Sequence, residues 1–140
     1  MYSYINTTIF NKLPDALKKD GMIINTKSLS GYGSGSANFE STDKLYLLSY
    51  VELFGTNYSK DTLKLATTQA PKGTRQLDYY KKSGTNKIRT TVSGTATVWW
   101  LRSAFAGYGN WYVAMGPDET AGGNGVLSAS GVAPAFRIME

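Results

Sequence analysis

The chain has 140 residues, of which 41% are hydrophobic and 13% aromatic, and its net charge is +5. This length fits one compact domain with a single core, so residues 1–140 are predicted to form one domain. The sequence has no cysteine and no histidine. This excludes disulfide frameworks, thiolate chemistry, imidazole metal ligands and histidine-dependent catalysis.

The N-terminus, MYSYINTTIF, has neither a basic segment nor a continuous apolar run, so the sequence predicts no signal peptide. No run approaches the roughly 20 apolar residues that cross a bilayer. We therefore expect neither a membrane anchor nor membrane insertion.

The first residues are predicted to form two short helices. Ser3 is suited to cap a helix that runs to about Lys12. Pro14 opens a second helix, which ends at Gly21. The apolar stripe of the first helix consists of Ile5, Ile9 and Leu13.

Strand signals follow these helices. Residues 22–26 form a short β-like run, whereas residues 28–42 (SLSGYGSGSANFEST) have the Gly and Ser density of a flexible loop. Residues 45–48 are predicted to form a buried strand, and residues 49–54 a helical turn stopped by Gly55. The expected class is α+β.

Positive charge concentrates in the middle of the chain, without a recognisable nucleic-acid motif. A solvated face is the favoured interpretation and an anionic partner is the alternative. We expect no nucleic-acid partner. The basic residues are Lys60, Lys64, Lys72, Arg75, Lys81, Lys82, Lys87 and Arg89, interspersed with Asp61, Asp78, Tyr79 and Tyr80.

The segment between Ser103 and Phe136 contains seven glycines and only two charged residues, Asp118 and Glu119. Glycines that allow tight turns, together with small polar residues between apolar anchors, are typical of a loop-rich binding face. The pattern therefore favours recognition over catalysis.

Strand alternation in residues 111–115 predicts that Trp111, Val113 and Met115 are buried and that Tyr112 and Ala114 face outward. Residues 132–138 are predicted to form a closing strand. In that strand Pro134 is expected at an edge or a bulge, because proline cannot donate to a ladder.

Three residues near the start of this region admit two interpretations. Trp99 and Trp100 are suited to stack on a sugar, but beside Leu101 in a strand-like run we interpret them as core. Arg102 is suited to hold a ligand carboxylate, but a structural pair with a carboxylate of this protein is favoured.

Five segments, in this order and spacing, resemble the C-type-lectin-like domain of bacterial surface and prophage proteins. The pattern is also similar to the variable proteins of diversity-generating retroelements, whose C-terminal region is rewritten by adenine-directed mutagenesis. The segments are Leu47-Leu48-Ser49 with Glu52 and Gly55, residues 76–80, Trp99-Trp100-Leu101-Arg102-Ser103, Trp111-x-Val113, and residues 131–138.

The resemblance implies a C-type-lectin-like fold with short N-terminal helices, small antiparallel sheets and a loop-rich C-terminal binding face. It implies a ligand-binding protein on a phage tail or bacterial cell surface, whose partner is a protein or glycan on a host or neighbouring cell. The expected fixed positions are Trp99, Trp100, Leu101, Arg102, Trp111, Val113, Pro134, Phe136 and Ile138.

The remaining positions of that region are the candidate ligand-binding residues, assigned by the resemblance and strand alternation together. Several are small or polar, and two tyrosines offer large rigid contact areas. The predicted ligand-binding residues are Phe105, Tyr108, Asn110, Tyr112, Ala114, Asp118, Thr120, Asn124, Leu127 and Ser130.

Two activities of lectin-like relatives lack their motifs here. Calcium-dependent sugar binding uses Glu-Pro-Asn or Gln-Pro-Asp with Trp-Asn-Asp, and neither pattern is present; adjacent Asp118 and Glu119 are expected to be solvated. Formylglycine-generating relatives need a cysteine pair. We expect no metal, no cofactor and no enzymatic activity. The alternative to a diversified binding protein is a structural tail or surface subunit with a fixed partner.

Overall fold

Short helices and small antiparallel sheets alternate along the chain, as predicted for an α+β protein. The computed structural model describes residues 2–31, 38–55, 75–105 and 110–139. Among these residues, none of the helices has both the length and the apolar character that membrane crossing requires.

The two predicted N-terminal helices are confirmed. Helix α1 (Tyr2–Tyr4) continues into a π-helical turn (Ile5–Ile9), and α2 spans Asp15–Lys18. The first helix begins before Ser3, so Ser3 does not cap it. Instead the carbonyl of Ser3 accepts a hydrogen bond from Thr7 Oγ1 at 2.6 Å.

A hairpin follows the short strand β1 (Ile23–Ile24). Strand β2 (Thr26–Gly31) pairs antiparallel with β3 (Asn38–Asp43). The prediction of a flexible loop over residues 28–42 is therefore wrong for the described part of that range; residues 32–37 lie outside it. Strand pairing uses backbone groups, so a stretch of small residues forms a ladder without a hydrophobic pattern that reveals it.

The predicted strand and helical turn after the hairpin are both present. Strand β4 (Tyr46–Leu47) lies within a fully buried stretch, residues 45–48. Helix α3 (Tyr50–Phe54) has Ser49 as its N-cap in a capping box with Glu52, and it ends at Gly55, where φ is +72°.

Residues 56–74, which include Lys60, Lys64 and Lys72, lie outside the described ranges. After them, helix α4 spans Asp78–Lys81. Strand β5 (Arg89–Thr90) then pairs antiparallel with β6 (Ala96–Thr97).

The central sheet has the order β7–β8–β9 and is antiparallel throughout. Opposite residues in β8 and β9 run from Trp111↔Gly125 to Met115↔Ala121. The register between β7 and β8 shifts after Trp100. The three strands are β7 (Trp99–Ala104), β8 (Trp111–Met115) and β9 (Ala121–Gly125).

Each face of this sheet packs on its own group of buried residues. The first core cluster contains Tyr46, Leu48, Tyr50, Leu53, Tyr80, Trp99, Leu101, Val113 and Met115. The second core cluster contains Ile5, Leu45, Leu47, Trp100 and Ala114. Adjacent residues alternate between the clusters in β4, β7 and β8, so the sheet is a central layer with a core on either side.

This arrangement corrects the prediction for Ala114, which is only 5% exposed and does not face solvent. The alternation was predicted correctly, with Val113 and Met115 buried on the opposite face. The second face is not free because the N-terminal helical segment, through Ile5, packs on it. Trp111, predicted to be buried, and Tyr112, predicted to face outward, are both only half-buried, and Tyr112 packs against the second core cluster.

The predicted closing strand over residues 132–138 is two short strands with different partners. Strand β10 (Pro134–Ala135) pairs with β4, and β11 (Arg137–Ile138) pairs with β1. Because the chain changes partner at Phe136, that ring is 36% exposed, and Ile138 is exposed as well. Both are expected to be fixed positions, and their exposure shows that neither is a fully buried core side chain. Pro134 lies in a two-stranded pair, as expected for an edge.

Candidate functional site

Five of the ten predicted ligand-binding residues lie at one end of the β8–β9 pair. Tyr112 is opposite Asn124 across the strands, and Asn124 Nδ2 lies 3.2 Å from Ser130 Oγ, to which it donates. The backbone N–H of Val126 donates to the carbonyl of Asn110 at 3.0 Å. We call this group, with Val126 added, the display end; it consists of Asn110, Tyr112, Asn124, Val126, Leu127 and Ser130.

The display end exposes apolar and polar groups side by side. Leu127 is 97% exposed and its neighbour Val126 is 50% exposed. The turn that carries them is closed by the Ser128 N–H, which donates to the carbonyl of Gly125 at 2.9 Å. Sequence reasoning missed Val126. The signal available was its position beside Leu127 in a turn between a glycine and two serines.

Phe105 lies on the opposite face of the sheet and does not belong to the display end. Its ring packs against the first core cluster and lies 6.0 Å, between centroids, from the ring of Trp111. A Cβ atom on Gly123 would lie 2.6 Å from the Phe105 ring, so the ring sits directly over this glycine. Phe105 therefore packs as part of the scaffold.

Asp118 and Thr120 lie in the turn at the other end of the β8–β9 pair. Five strand residues, roughly 15 Å, separate the two ends. Asp118 Oδ1 accepts from Thr120 Oγ1 at 2.7 Å and from its N–H at 3.1 Å. These hydrogen bonds hold the pKa of Asp118 below its usual value, because they stabilise the carboxylate. The two residues stabilise a turn and do not adjoin the display end.

Two predicted residues remain. Ala114 is buried, and Tyr108 lies outside the described residues. Within the described ranges, acidic side chains form no group of three or more that could hold a metal ion. The display end, as described, presents apolar, amide and hydroxyl groups.

A buried ion pair links strand β7 of this sheet to helix α3. Arg102 Nη1 donates to Glu52 Oε2 at 2.6 Å and to the carbonyl of Leu47 at 2.5 Å. The same Glu52 oxygen accepts from the Ser49 N–H at 2.7 Å and from Ser49 Oγ at 2.9 Å. The interpretation of Arg102 as a partner of a carboxylate within the protein is confirmed. Trp99 and Trp100 are buried, also as predicted.

Comparison with known families gives one match. The sequence pattern of the family described as Domain of unknown function (DUF6273) matches residues 1–140. No curated protein and no solved structure matches the chain.

Proposed function

We propose that this chain, which belongs to the DUF6273 family over residues 1–140, is a non-catalytic ligand-binding protein. The observation that carries the proposal is the display end, where Leu127 is almost fully exposed beside the hydrogen-bonded Asn124–Ser130 pair. Binding surfaces of proteins typically combine exposed apolar side chains with polar groups held in a fixed orientation.

The support beneath the display end favours binding. Residues of β8 and β9 are held by a complete antiparallel register, and the adjacent strand β7 is anchored by the Arg102–Glu52 pair. A surface that is already ordered loses less conformational entropy when a partner binds. Loop and turn residues on such a scaffold can also change without disturbing the core.

We propose further that the fold is C-type-lectin-like and that the chain is the diversified variable protein of a retroelement, displayed on a phage tail or a bacterial cell surface. Support comes from the order of its parts: short N-terminal helices, a buried strand Trp99–Ala104, and a glycine-rich hairpin that precedes the closing strands. The partner would be a protein or glycan on a host or neighbouring cell.

One observation favours a second candidate, a structural tail or surface subunit with a fixed partner. Ala114 is buried and Phe105 is held over Gly123, so fewer positions are free to vary than the resemblance implies. Neighbouring DNA separates the candidates. A near-copy of the 3′ coding segment that differs at adenines, beside a reverse transcriptase gene, supports the diversified protein.

Two surface-displayed libraries test the proposed binding surface. The first randomises five display-end positions: Asn110, Tyr112, Asn124, Leu127 and Ser130. The second, a matched control, randomises Phe105, Ala114 and Gly123. We expect most members of the first library to fold and most members of the second to fail. The second library changes a buried residue and the Phe105–Gly123 contact, whereas in the first only Tyr112 is known to pack, half-buried, against a core cluster.

Folded members of the first library are then sorted for binding to extracts of bacterial surfaces. Enrichment of particular side chains at the display end supports the proposal. Binding that survives every change there, or a first library that folds no better than the second, contradicts it.

A further inference from the structure

Arg89 is an oriented cation outside the display end. Its guanidinium lies 5.0 Å from the centre of the Trp99 ring. Nη2 donates to the hydroxyl of Tyr80 at 2.8 Å, and Nη1 donates to the carbonyl of Ile88 at 2.9 Å. Trp99 and Tyr80 both belong to the first core cluster, so the orientation of Arg89 is fixed by the core.

Lys87, two residues earlier, is held in a similar way. Its ammonium group lies 5.5 Å from the centre of the Phe54 ring, and Phe54 packs on the same cluster. Among the described residues, neither Lys87 nor Arg89 forms an ion pair, whereas nearby Asp78 is paired with Lys81 at 2.6 Å. Neither cationic side chain is therefore held in a salt bridge within that part of the protein, and the nearby Glu119 carboxylate contacts the backbone N–H of Lys87 instead.

The guanidinium group has five N–H donors, and the two hydrogen bonds given above use two of them. A half-buried guanidinium that is oriented by neutral groups retains donors for an anion in bidentate geometry. We propose that Arg89 and Lys87 form a second binding site, which takes a carboxylate group of an acidic polysaccharide.

Glu119 favours a carboxylate over a phosphate as the bound group. Its Oε1 lies 3.3 Å from the backbone nitrogen of Lys87, so a negative charge already adjoins the site. Repulsion grows with the charge of the ligand, and a phosphate with two charges is penalised more than a carboxylate with one. Nucleic-acid binding also needs many phosphate contacts, whereas this site supplies one guanidinium and one ammonium group.

Binding of polygalacturonate to the full chain, followed by calorimetry at low salt, tests the proposal. We expect Arg89→Gln and Arg89→Lys each to weaken binding about tenfold. Glutamine removes the charge, and lysine keeps the charge but cannot bind the carboxylate in the bidentate geometry of a guanidinium. Lys87→Gln should also weaken binding, whereas Glu119→Gln should strengthen it. Lys12→Gln removes the same charge from an exposed position in the N-terminal segment and should leave binding unchanged.

Thermal unfolding of each variant establishes that it is folded, and Arg89→Lys provides the test if Arg89→Gln is not. The proposal is overturned if no binding is seen, if the Arg89 variants bind like the wild type, or if polyphosphate or single-stranded DNA binds more tightly than polygalacturonate. Leu127→Asp should leave polygalacturonate binding intact, so failure of this site and failure of the display end are distinguishable.

Discussion

Arg102 and Glu52 bring charge into the core, and their contacts explain how the core accepts it. Each side chain is almost fully buried, and Glu52 also accepts hydrogen bonds from Ser49. A buried pair of this kind contributes little net stability compared with apolar residues of the same shape, but the loss of one partner leaves an unpaired buried charge. The pair links strand β7 to helix α3. Its net attraction contributes little to stability, but removing either partner alone is strongly destabilising.

We expect Arg102→Met to lower the free energy of unfolding by about 3–5 kcal/mol, measured by urea denaturation, because Glu52 is left buried without its partner. The double variant Arg102→Met/Glu52→Met should be less destabilised than the sum of the single variants. Asp78→Ala, which breaks the exposed pair with Lys81, is the control and should change stability little. Equal losses in the buried and exposed pairs would contradict this account.

Gly122 and Gly123 are neighbours in β9 with opposite surroundings. A Cβ atom at Gly123 would lie 2.6 Å from the Phe105 ring, whereas one at Gly122 would meet nothing within 4 Å. We expect Gly123→Ala to lower the free energy of unfolding by about 1–3 kcal/mol, because the ring must move from its place. Gly122→Ala should be tolerated. Matched chemical denaturation curves decide, and equal effects at both glycines would show that Phe105 is not packed on Gly123.

At the scale of elements, the central sheet differs from the one-sided sheet that its sequence suggests. Strand β8 alternates correctly, but both of its faces are covered where Val113, Ala114 and Met115 lie. Only its start, near the display end, is half-exposed. The exposure of a side chain in β8 therefore depends on its position along the strand as well as on the face of the sheet on which it lies.

Substitutions at covered and exposed positions test whether both faces of β8 are buried. We expect Ala114→Gln to lower the free energy of unfolding by about 1–3 kcal/mol, because an amide is forced between Ile5, Leu45 and Trp100. Leu127→Gln should change it by no more than about 0.5 kcal/mol, since that side chain is almost fully exposed. Val113→Ala should cost about 2–4 kcal/mol as a core cavity. A tolerated Ala114→Gln would restore the outward-facing assignment.

At the scale of the whole molecule, the last strands close the fold on its first third. Strand β11 pairs with β1 and β10 pairs with β4, so residues about 90 or more positions apart in the chain share hydrogen-bonded ladders. The display end consists of residues at one end of β8 and β9 and of the turn that leads from β9 toward these closing strands. Pairing between the first and last described strands therefore adds to the scaffold that carries it.

We expect the midpoint of thermal unfolding to be the same in EDTA and in millimolar calcium. A ligand that binds only the native state must raise that midpoint, and Asp118 already uses Oδ1 to accept two hydrogen bonds from Thr120. Calorimetry or dye-based melting measures it. A rise with calcium would contradict the expectation and point first to Asp118 and Glu119.

Local rules determined much of this protein from its sequence. The α+β class, the two N-terminal helices, the helical turn that Gly55 ends, and the burial of Trp99 and Trp100 all follow from helix-stop signals and hydrophobic patterns between neighbouring residues. The N-cap at Ser49 was not predicted, and the predicted N-cap at Ser3 is wrong. The pairing of Arg102 with a carboxylate followed from the chemistry of guanidinium. Each of these depends on a residue and its immediate surroundings in the chain.

Tertiary structure alone decided which faces are covered. Nothing within β8 indicates that Ile5 lies on the same side as Ala114, nor that Phe136 falls where the chain changes partner between β4 and β1. The sequence did not predict the β2–β3 ladder, because its backbone hydrogen bonds require no recognisable pattern of side chains. The predicted contact residues within the described ranges divide between the display end, the core and the opposite turn for the same reason. Alternation gives the direction of a side chain, whereas its exposure depends on what packs against it from distant parts of the chain.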